Sequence, residues 1–186
     1  MNVLRATLVA VLLVAGVVAG PARARQDDPR LDDLFDKLQS ATGMQDVADA
    51  EGQIWRIWTE SGSDTVDLFM RDAMTAMARG EFDQALENIN TVIEMDPEFA
   101  EGWNKRATIY YLMGNFDASV GDIVHTLDLE PRHFGALAGL GLIYDQIDDP
   151  EGALKAYKRA LEVHPFLPHA RRRVEQLSKE LKDKEI

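Results

Sequence analysis

Apolar residues recur along most of the chain every three or four positions, which is the period of an α-helix. Trp103, Ala107 and Tyr110, for example, lie at i, i+4 and i+7 and share one face of a helix. Gly114 marks the end of this helix, and Pro131 marks the end of the helix that follows. The pattern therefore predicts an all-α protein built from short helices.

The two-helix pattern repeats with a period of 34 residues. Its columns include Ala73, Ala107 and Gly141; Ala85, Ser119 and Ala153; Ile89, Ile123 and Tyr157; and Pro97, Pro131 and Pro165. Small residues at Ala107 and Ser119 allow paired helices to approach closely, while larger neighbours fill the space beside them. The period predicts a stack of equivalent helix pairs.

The motifs AEGWNKRATIYYLMGNFDAS and HFGALAGLGLIYDQIDDPEGALKAYKRALEVHP resemble the tetratricopeptide repeat family, including exported alphaproteobacterial members. This resemblance implies an α-solenoid of three helix pairs at residues 66–99, 100–133 and 134–167. The departures from the family pattern are Asp72, Arg106, Asp148 and Pro150. They affect local packing and leave the predicted fold in place.

Each end of the stack needs a cap with a polar outer face. Residues 168–186 place Val174, Leu177 and Leu181 on one face among charged residues, which predicts a C-terminal capping helix. Residues 25–65 contain a short link and two amphipathic segments. We expect these segments to form a degenerate helix pair packed under the first repeat.

Composition narrows the range of functions. The chain has no cysteine, which excludes disulfides, thiolate chemistry and iron–sulfur ligation. Its formal net charge of −12 disfavours nucleic acid as a partner, because binding to phosphates needs clusters of Lys and Arg. No cofactor is expected.

Residues 1–24 have the pattern of a secretory signal peptide. Arg5 precedes an uncharged run from Ala6 to Gly20, and Ala22 and Ala24 form an A-x-A cleavage pattern. A helix of this run would be about 22 Å long, which is shorter than a bilayer core. We expect a periplasmic protein with no stable membrane span after cleavage, and an uncleaved inner-membrane anchor is the alternative.

No residue pattern in the chain indicates catalysis. The sequence lacks a G-x-S-x-G elbow, a phosphate-binding Gly-rich loop and an H-E-x-x-H motif. The acidic cluster near Asp148 lacks the glycine of a calcium loop and is interpreted as charge at a helix start. The histidines are interpreted as ordinary surface residues, with His133 and His164 in turns between repeats. We therefore predict neither catalytic residues nor a metal site.

Met70, Met74 and Met77 form a second apolar stripe beside the packing stripe of the first repeat. In tetratricopeptide proteins the corresponding positions line a concave groove that binds peptides. Carried across the register, this resemblance implies nine groove-lining residues: Met70, Met74, Met77, Asn104, Thr108, Tyr111, Ala138, Leu142 and Asp145. Alternatively, the N-terminal helices, with Trp55 and Trp58, cover these methionines. The sequence does not decide between an open groove and this cover.

These observations predict a binding scaffold that acts as an adaptor or assembly factor for a protein or peptide partner. The alternative is a structural subunit of an envelope complex that is held through its N-terminal helices, with no function for the groove. The partner, its peptide motif and the oligomeric state do not follow from the sequence.

Overall fold

The computed structural model describes residues 25–184, so the predicted signal peptide at residues 1–24 lies outside the described residues. After a short 3-10 turn at Arg25–Asp27, the described chain forms nine helices and no strand. They are α1 (Arg30–Ser40), α2 (Met44–Thr59), α3 (Asp64–Ala78), α4 (Phe82–Met95), α5 (Ala100–Leu112), α6 (Phe116–Leu129), α7 (Phe134–Gln146), α8 (Pro150–Val163) and α9 (Pro168–Lys184). Within residues 25–184, no helix combines the length and hydropathy of a membrane span.

Helices α3 to α8 form three antiparallel pairs that stack into a solenoid, which confirms the predicted fold class. The small residues of the repeat lie where paired helices touch. Ala85 and Ala153 are fully buried, and the Ser119 hydroxyl donates a hydrogen bond of 2.7 Å to the Ala107 carbonyl. Close approach of the backbones thus buries the apolar stripe of each pair.

The third pair achieves its packing with a different combination of residues. Tyr157 occupies the column that holds isoleucine in the first two pairs, and it is fully buried. Its ring lies against Gly141, where a Cβ atom would come within 2.5 Å of the ring. The larger side chain in α8 is accommodated because the facing residue in α7 has no side chain.

We expect Gly141→Ala to lower the free energy of unfolding by about 1–3 kcal/mol through overpacking. The matched control is Gly139→Ala in the same helix, where the nearest atom to a new Cβ lies at 3.8 Å. The control should be neutral or gain up to about 1 kcal/mol from helix propensity. Thermal unfolding followed by far-UV circular dichroism measures both. Adding Tyr157→Ile to Gly141→Ala should recover stability, and an unchanged melting point for Gly141→Ala would contradict the close approach.

The departures from the repeat pattern have local compensation. Asp148 adopts φ = 58° where the first two pairs have glycines, and aspartate tolerates this left-handed conformation better than most residues. Asp149 caps α8 by accepting a hydrogen bond of 2.9 Å from the Gly152 amide, and Pro150 occupies the first turn. The irregular turn therefore starts a regular helix.

The C-terminal helix α9 caps the stack as predicted. Ala170, Val174 and Leu177 pack against Ala153 and Tyr157 of the third pair. Most of the remaining side chains of α9 face solvent. The apolar surface of the last repeat is thereby covered by an amphipathic helix.

The N-terminal pair α1–α2 does not pack under the first repeat, so that expectation was wrong. Its apolar face packs on the start of α7 and on the segment before α9, with Phe134, Phe166 and Leu167 in the shared core. Asp32 pairs with Arg132 at 2.6 Å. The pair instead lies across the turns that join successive repeats, because these turns expose aromatic and aliphatic side chains that match its own.

The environment of Asp72 agrees with this placement of the N-terminal pair. In the second and third pairs the same column faces the preceding pair: Arg106 reaches Asn90 at 2.8 Å, and Leu140 packs with Ile123. Asp72 has no such pair before it and is exposed. The exposure of Asp72 thus fits a first repeat that has no helix pair stacked before it among the described residues.

Candidate functional site

The inner faces of α5 and α7 enclose a cavity of about 210 Å³ that opens to solvent. Five predicted groove residues line it: Asn104, Thr108, Tyr111, Ala138 and Leu142. Ile123 of α6 and Gly139 also contribute to the lining. Among the described residues, no charged side chain lines this cavity. The repeat places these residues together because equivalent positions of successive pairs face the same side of the solenoid.

A second cavity of about 400 Å³ continues from the first toward α9. Ala138 and Leu142 line both cavities, and Leu167, Pro168 and Ala170 line only the second. We call the two joined cavities the inner groove. Its extension onto α9 was not predicted from the sequence, since Leu167 and Pro168 were assigned to the end of one repeat and the start of the cap.

The methionine stripe of α3 lies outside the inner groove. Met70 is only 7% exposed and belongs to the core of the first pair with Ala73 and Ile89. Met74 and Met77 are partly buried against the same core. Met70 therefore does not line the inner groove, because its side chain completes the packing between the first two pairs.

Met70 and Met74 also border a separate cavity of about 680 Å³, beside Lys105 and the end of α2. Trp55 and Trp58 belong to a different apolar cluster and pack on the start of α7. The tryptophans are thus not the cover of the methionines, and the last residues of α2 are the part that approaches them.

Asp145, the ninth predicted residue, lines neither cavity and is held in an ion pair. Arg173 of α9 contacts its two carboxylate oxygens at 2.6 and 2.9 Å, and the Tyr157 hydroxyl donates to it at 2.9 Å. Burial raises the pKa of Asp145, but the hydrogen bonds from Arg173 and Tyr157 outweigh burial and lower it overall. Asp145 therefore fastens the capping helix to the third pair.

One end of the inner groove is bordered by the N-terminal pair. A Cβ atom on Gly135, which lines the groove, would lie 2.8 Å from the ring of Trp55. The same ring meets Phe134 edge-on, with ring centres 5.2 Å apart. Trp55 thus packs against Gly135 at the edge of the groove, a contact that the repeat register could not reveal because Trp55 lies outside the repeats.

A buried polar cluster lies next to the Trp55 ring. Glu101 receives hydrogen bonds from the side chains of His133 and Asn104, each at 2.9 Å, and pairs with Lys105 at 2.7 Å. His133 also accepts a hydrogen bond from the Ala136 amide through Nδ1, so its other nitrogen carries the proton donated to Glu101. Burial alone raises the pKa of Glu101, but the His133 hydrogen bond and the Lys105 charge lower it overall.

The interpretation of His133 and His164 as surface residues was wrong. Both are buried, because α1–α2 covers the turns in which they lie. His164 contacts the ring of Phe134 and lies 3.4 Å from Glu51 of α2. Burial lowers the pKa of His164, and the interaction with Glu51 only partly offsets this effect.

The lowered pKa of His164 predicts acid sensitivity. Below its ordinary pKa of 6.5, the unfolded chain binds a proton at this position that the folded chain binds only at lower pH. His164 therefore favours the folded state above pH 6.5, and this contribution is lost as the pH falls through the folded-state pKa. Melting temperatures of His164→Gln from about pH 7.5 to about pH 5.5 should fall less steeply than those of the wild type. The exposed control His125→Gln should follow the wild type, and an unchanged slope for His164→Gln would contradict the assignment.

Residues 25–184 hold no group of three or more His, Asp or Glu side chains placed for a metal ion. The acidic cluster at Asp148 and Asp149 forms the turn and cap described above. The inner groove is open to solvent and mostly apolar, which is the shape and lining expected of a ligand site.

The tetratricopeptide repeat profile matches residues 71–124 and 113–168. A TPR repeat-containing protein of Rhizobium etli is 36% identical over 152 residues, which cover 82% of this chain and 74% of that protein. The profile match includes α5 and α7, which form most of the inner groove.

Solved structures show the same fold. The first tetratricopeptide domain of Spaghetti (RPAP3), bound to the HSP90 peptide SRMEEVD, matches with a TM-score of 0.61 at 21% identity and covers 64% of this chain and 95% of that one. The Sgt2 domain from Aspergillus fumigatus matches with a TM-score of 0.61 at 21% identity and covers 66% and 83%. At these identities the likeness concerns the fold alone. The repeat profile and the Rhizobium relative show that the chain belongs to the tetratricopeptide repeat family.

Proposed function

We propose that this protein is an adaptor that binds a segment of another protein in its inner groove. The observation that carries the proposal is the convergence of Asn104, Thr108, Tyr111, Ala138 and Leu142, from two successive repeats, on one solvent-open cavity. A concave, mostly apolar cavity with few polar groups is the usual form of a binding site. A role without catalysis is supported by the burial of Glu101 and His133, which a substrate in the groove does not reach.

The specificity of the Spaghetti domain does not carry over to this chain. Its peptide SRMEEVD contains three acidic side chains. The inner groove of this chain offers neither lysine nor arginine among its described lining residues. We therefore propose a protein or peptide partner that lacks an acidic motif. The net negative charge of the chain disfavours nucleic acid as a partner.

We favour binding through the inner groove over the alternative function, in which the protein is a structural subunit of an envelope complex and is held through its N-terminal helices. Leu31, Leu38 and Ile54 of these helices are completely buried within the protein. Docking through the same face would require α1–α2 to detach from the repeat turns. The apolar surface of the N-terminal pair is thus already used inside the molecule.

Photo-crosslinking in the native host tests the groove. A benzophenone amino acid in place of Ala138 should capture a partner, and the same label at the exposed Val124 of α6 should not. The Leu142→Asp substitution should abolish capture from position 138. Equal capture from positions 124 and 138 would contradict the proposal that the inner groove is the binding site.

Export to the periplasm is part of the proposal and is supported by the residues of the first 24 positions. Intact-mass measurement of the protein from its host should give a chain that begins near Arg25. A chain that retains Met1 and stays with membranes after an alkaline wash would favour the anchored alternative.

A further inference from the structure

The polar groups facing the inner groove form hydrogen bonds within the protein. The Asn104 amide donates to Glu101 at 2.9 Å, and the Thr108 hydroxyl donates to the Asn104 carbonyl at 3.0 Å. His169, at the α9 end of the groove, lies with its Nε2 3.3 Å from the Tyr157 hydroxyl. One Asn104 donor and the Thr108 hydroxyl proton are already used, and the rest of the lining is mostly apolar, so the floor of the groove selects chiefly by apolar contact.

The dimensions of the groove favour a short extended segment. It crosses the inner faces of α5, α7 and the start of α9, which is two helix spacings or about 20 Å. An extended chain covers this distance with about six residues. Apolar surface is offered to alternate side chains by Tyr111 at one end, by Leu142 where the two cavities join, and by Leu167 and Pro168 at the other end.

The net charge of the protein gives a second indication of which ligands the groove favours. The chain carries a net charge of −12, while the described lining of the groove carries none. An acidic protein attracts positive charge at long range and repels negative charge, and both effects weaken with salt. Basic residues outside the apolar part of a ligand are therefore favoured over acidic ones.

We propose that the inner groove binds an extended, uncharged segment of about six residues that is rich in aliphatic side chains and flanked by lysine or arginine. This inference rests on the proposed function and names the chemistry of its ligand. The apolar floor supplies the affinity, and the negative charge of the protein favours basic flanks.

Two fluorescein-labelled peptides test the inference by fluorescence anisotropy with the protein purified from its host. KALLALLK carries a lysine at each end, and EALLALLE carries a glutamate at each end of the same core. At low salt, KALLALLK should bind about tenfold tighter or more, and the difference should shrink as salt is added. Equal affinity, or tighter binding of EALLALLE, would overturn the inference.

A matched pair of variants tests whether the peptide binds in the inner groove. Leu142→Asp should weaken KALLALLK about tenfold or more, even though it adds a negative charge. Leu112→Asp makes the same change at an exposed position of α5 outside the groove and should leave binding unchanged. If Leu142→Asp fails to fold, Thr108→Trp fills the same cavity without charge and should also weaken binding. Equal affinities for all variants would overturn the inference.

The outcomes for the ligand chemistry and for the proposed function are separable. Failure of both peptides to bind, with crosslinking from position 138 intact, overturns the ligand chemistry and leaves the groove as the site. Loss of specific crosslinking from position 138 overturns the proposed function itself.

Discussion

Glu101→Ala should lower the free energy of unfolding by about 3–5 kcal/mol, because it removes one partner of a buried ion pair. The carboxylate is inaccessible to solvent and interacts with His133, Asn104 and Lys105. Without it, His133 has a buried N–H with no acceptor at the interface with α2. Chemical denaturation followed by circular dichroism measures the loss. The control Glu94→Ala, on the exposed face of α4, should change stability by less than about 0.5 kcal/mol.

Glu101→Gln separates charge from hydrogen bonding at the same position. The amide can still accept from His133 but no longer attracts Lys105, so the expected loss is smaller than for alanine. Because the pKa of Glu101 is lowered on folding, its charge favours the folded state above the ordinary value of 4.5. This advantage over glutamine is lost as the pH falls through the folded-state pKa. A loss for Glu101→Gln that persists unchanged at low pH would contradict the ionised assignment.

Trp58→Ala should cost about 3–5 kcal/mol and loosen the N-terminal pair. The Trp58 ring is 3% exposed and stacks on His133, with ring centres 4.3 Å apart and planes inclined by 11°. It also contacts Phe35 and Phe134, which joins α1–α2 to the start of α7. Limited proteolysis should cut the variant near residues 60–63, between α2 and α3, while the repeats remain folded.

Trp58→Phe is the matched control. Its ring can still pack on His133, and it removes an indole N–H that has no hydrogen-bond partner among the described residues. We therefore expect a smaller loss than for alanine and no early cleavage. Met44→Ala, which changes a methionine that is 68% exposed on the same pair, should behave as the wild type. Early cleavage of all three variants would show that the pair is not held by the Trp58 contact.

Much of the inner groove could be predicted from the repeat. A 34-residue period places Thr108 and Leu142 at equivalent positions of successive inner helices, and equivalent positions of a solenoid share one surface. The same register does not place Met70 in the inner groove, since Met70 borders a separate cavity beside Lys105 and the end of α2. Periodicity identifies the face on which a residue lies, but it does not show how deeply neighbouring elements cover that face.

The sequence by itself determined the helices, their pairing and the small-residue contacts, because these depend on residues that are close in the chain or related by the repeat. The tertiary structure decided the rest: Trp55 packs against Gly135 at the edge of the groove, His133 and His164 become buried, and Arg173 holds Asp145. All of these depend on where α1–α2 and α9 dock. Docking of an amphipathic helix is set by the fit between two apolar surfaces, and several surfaces of a solenoid offer apolar side chains. The local pattern specifies that such a helix must be covered, whereas only the complete fold specifies by what.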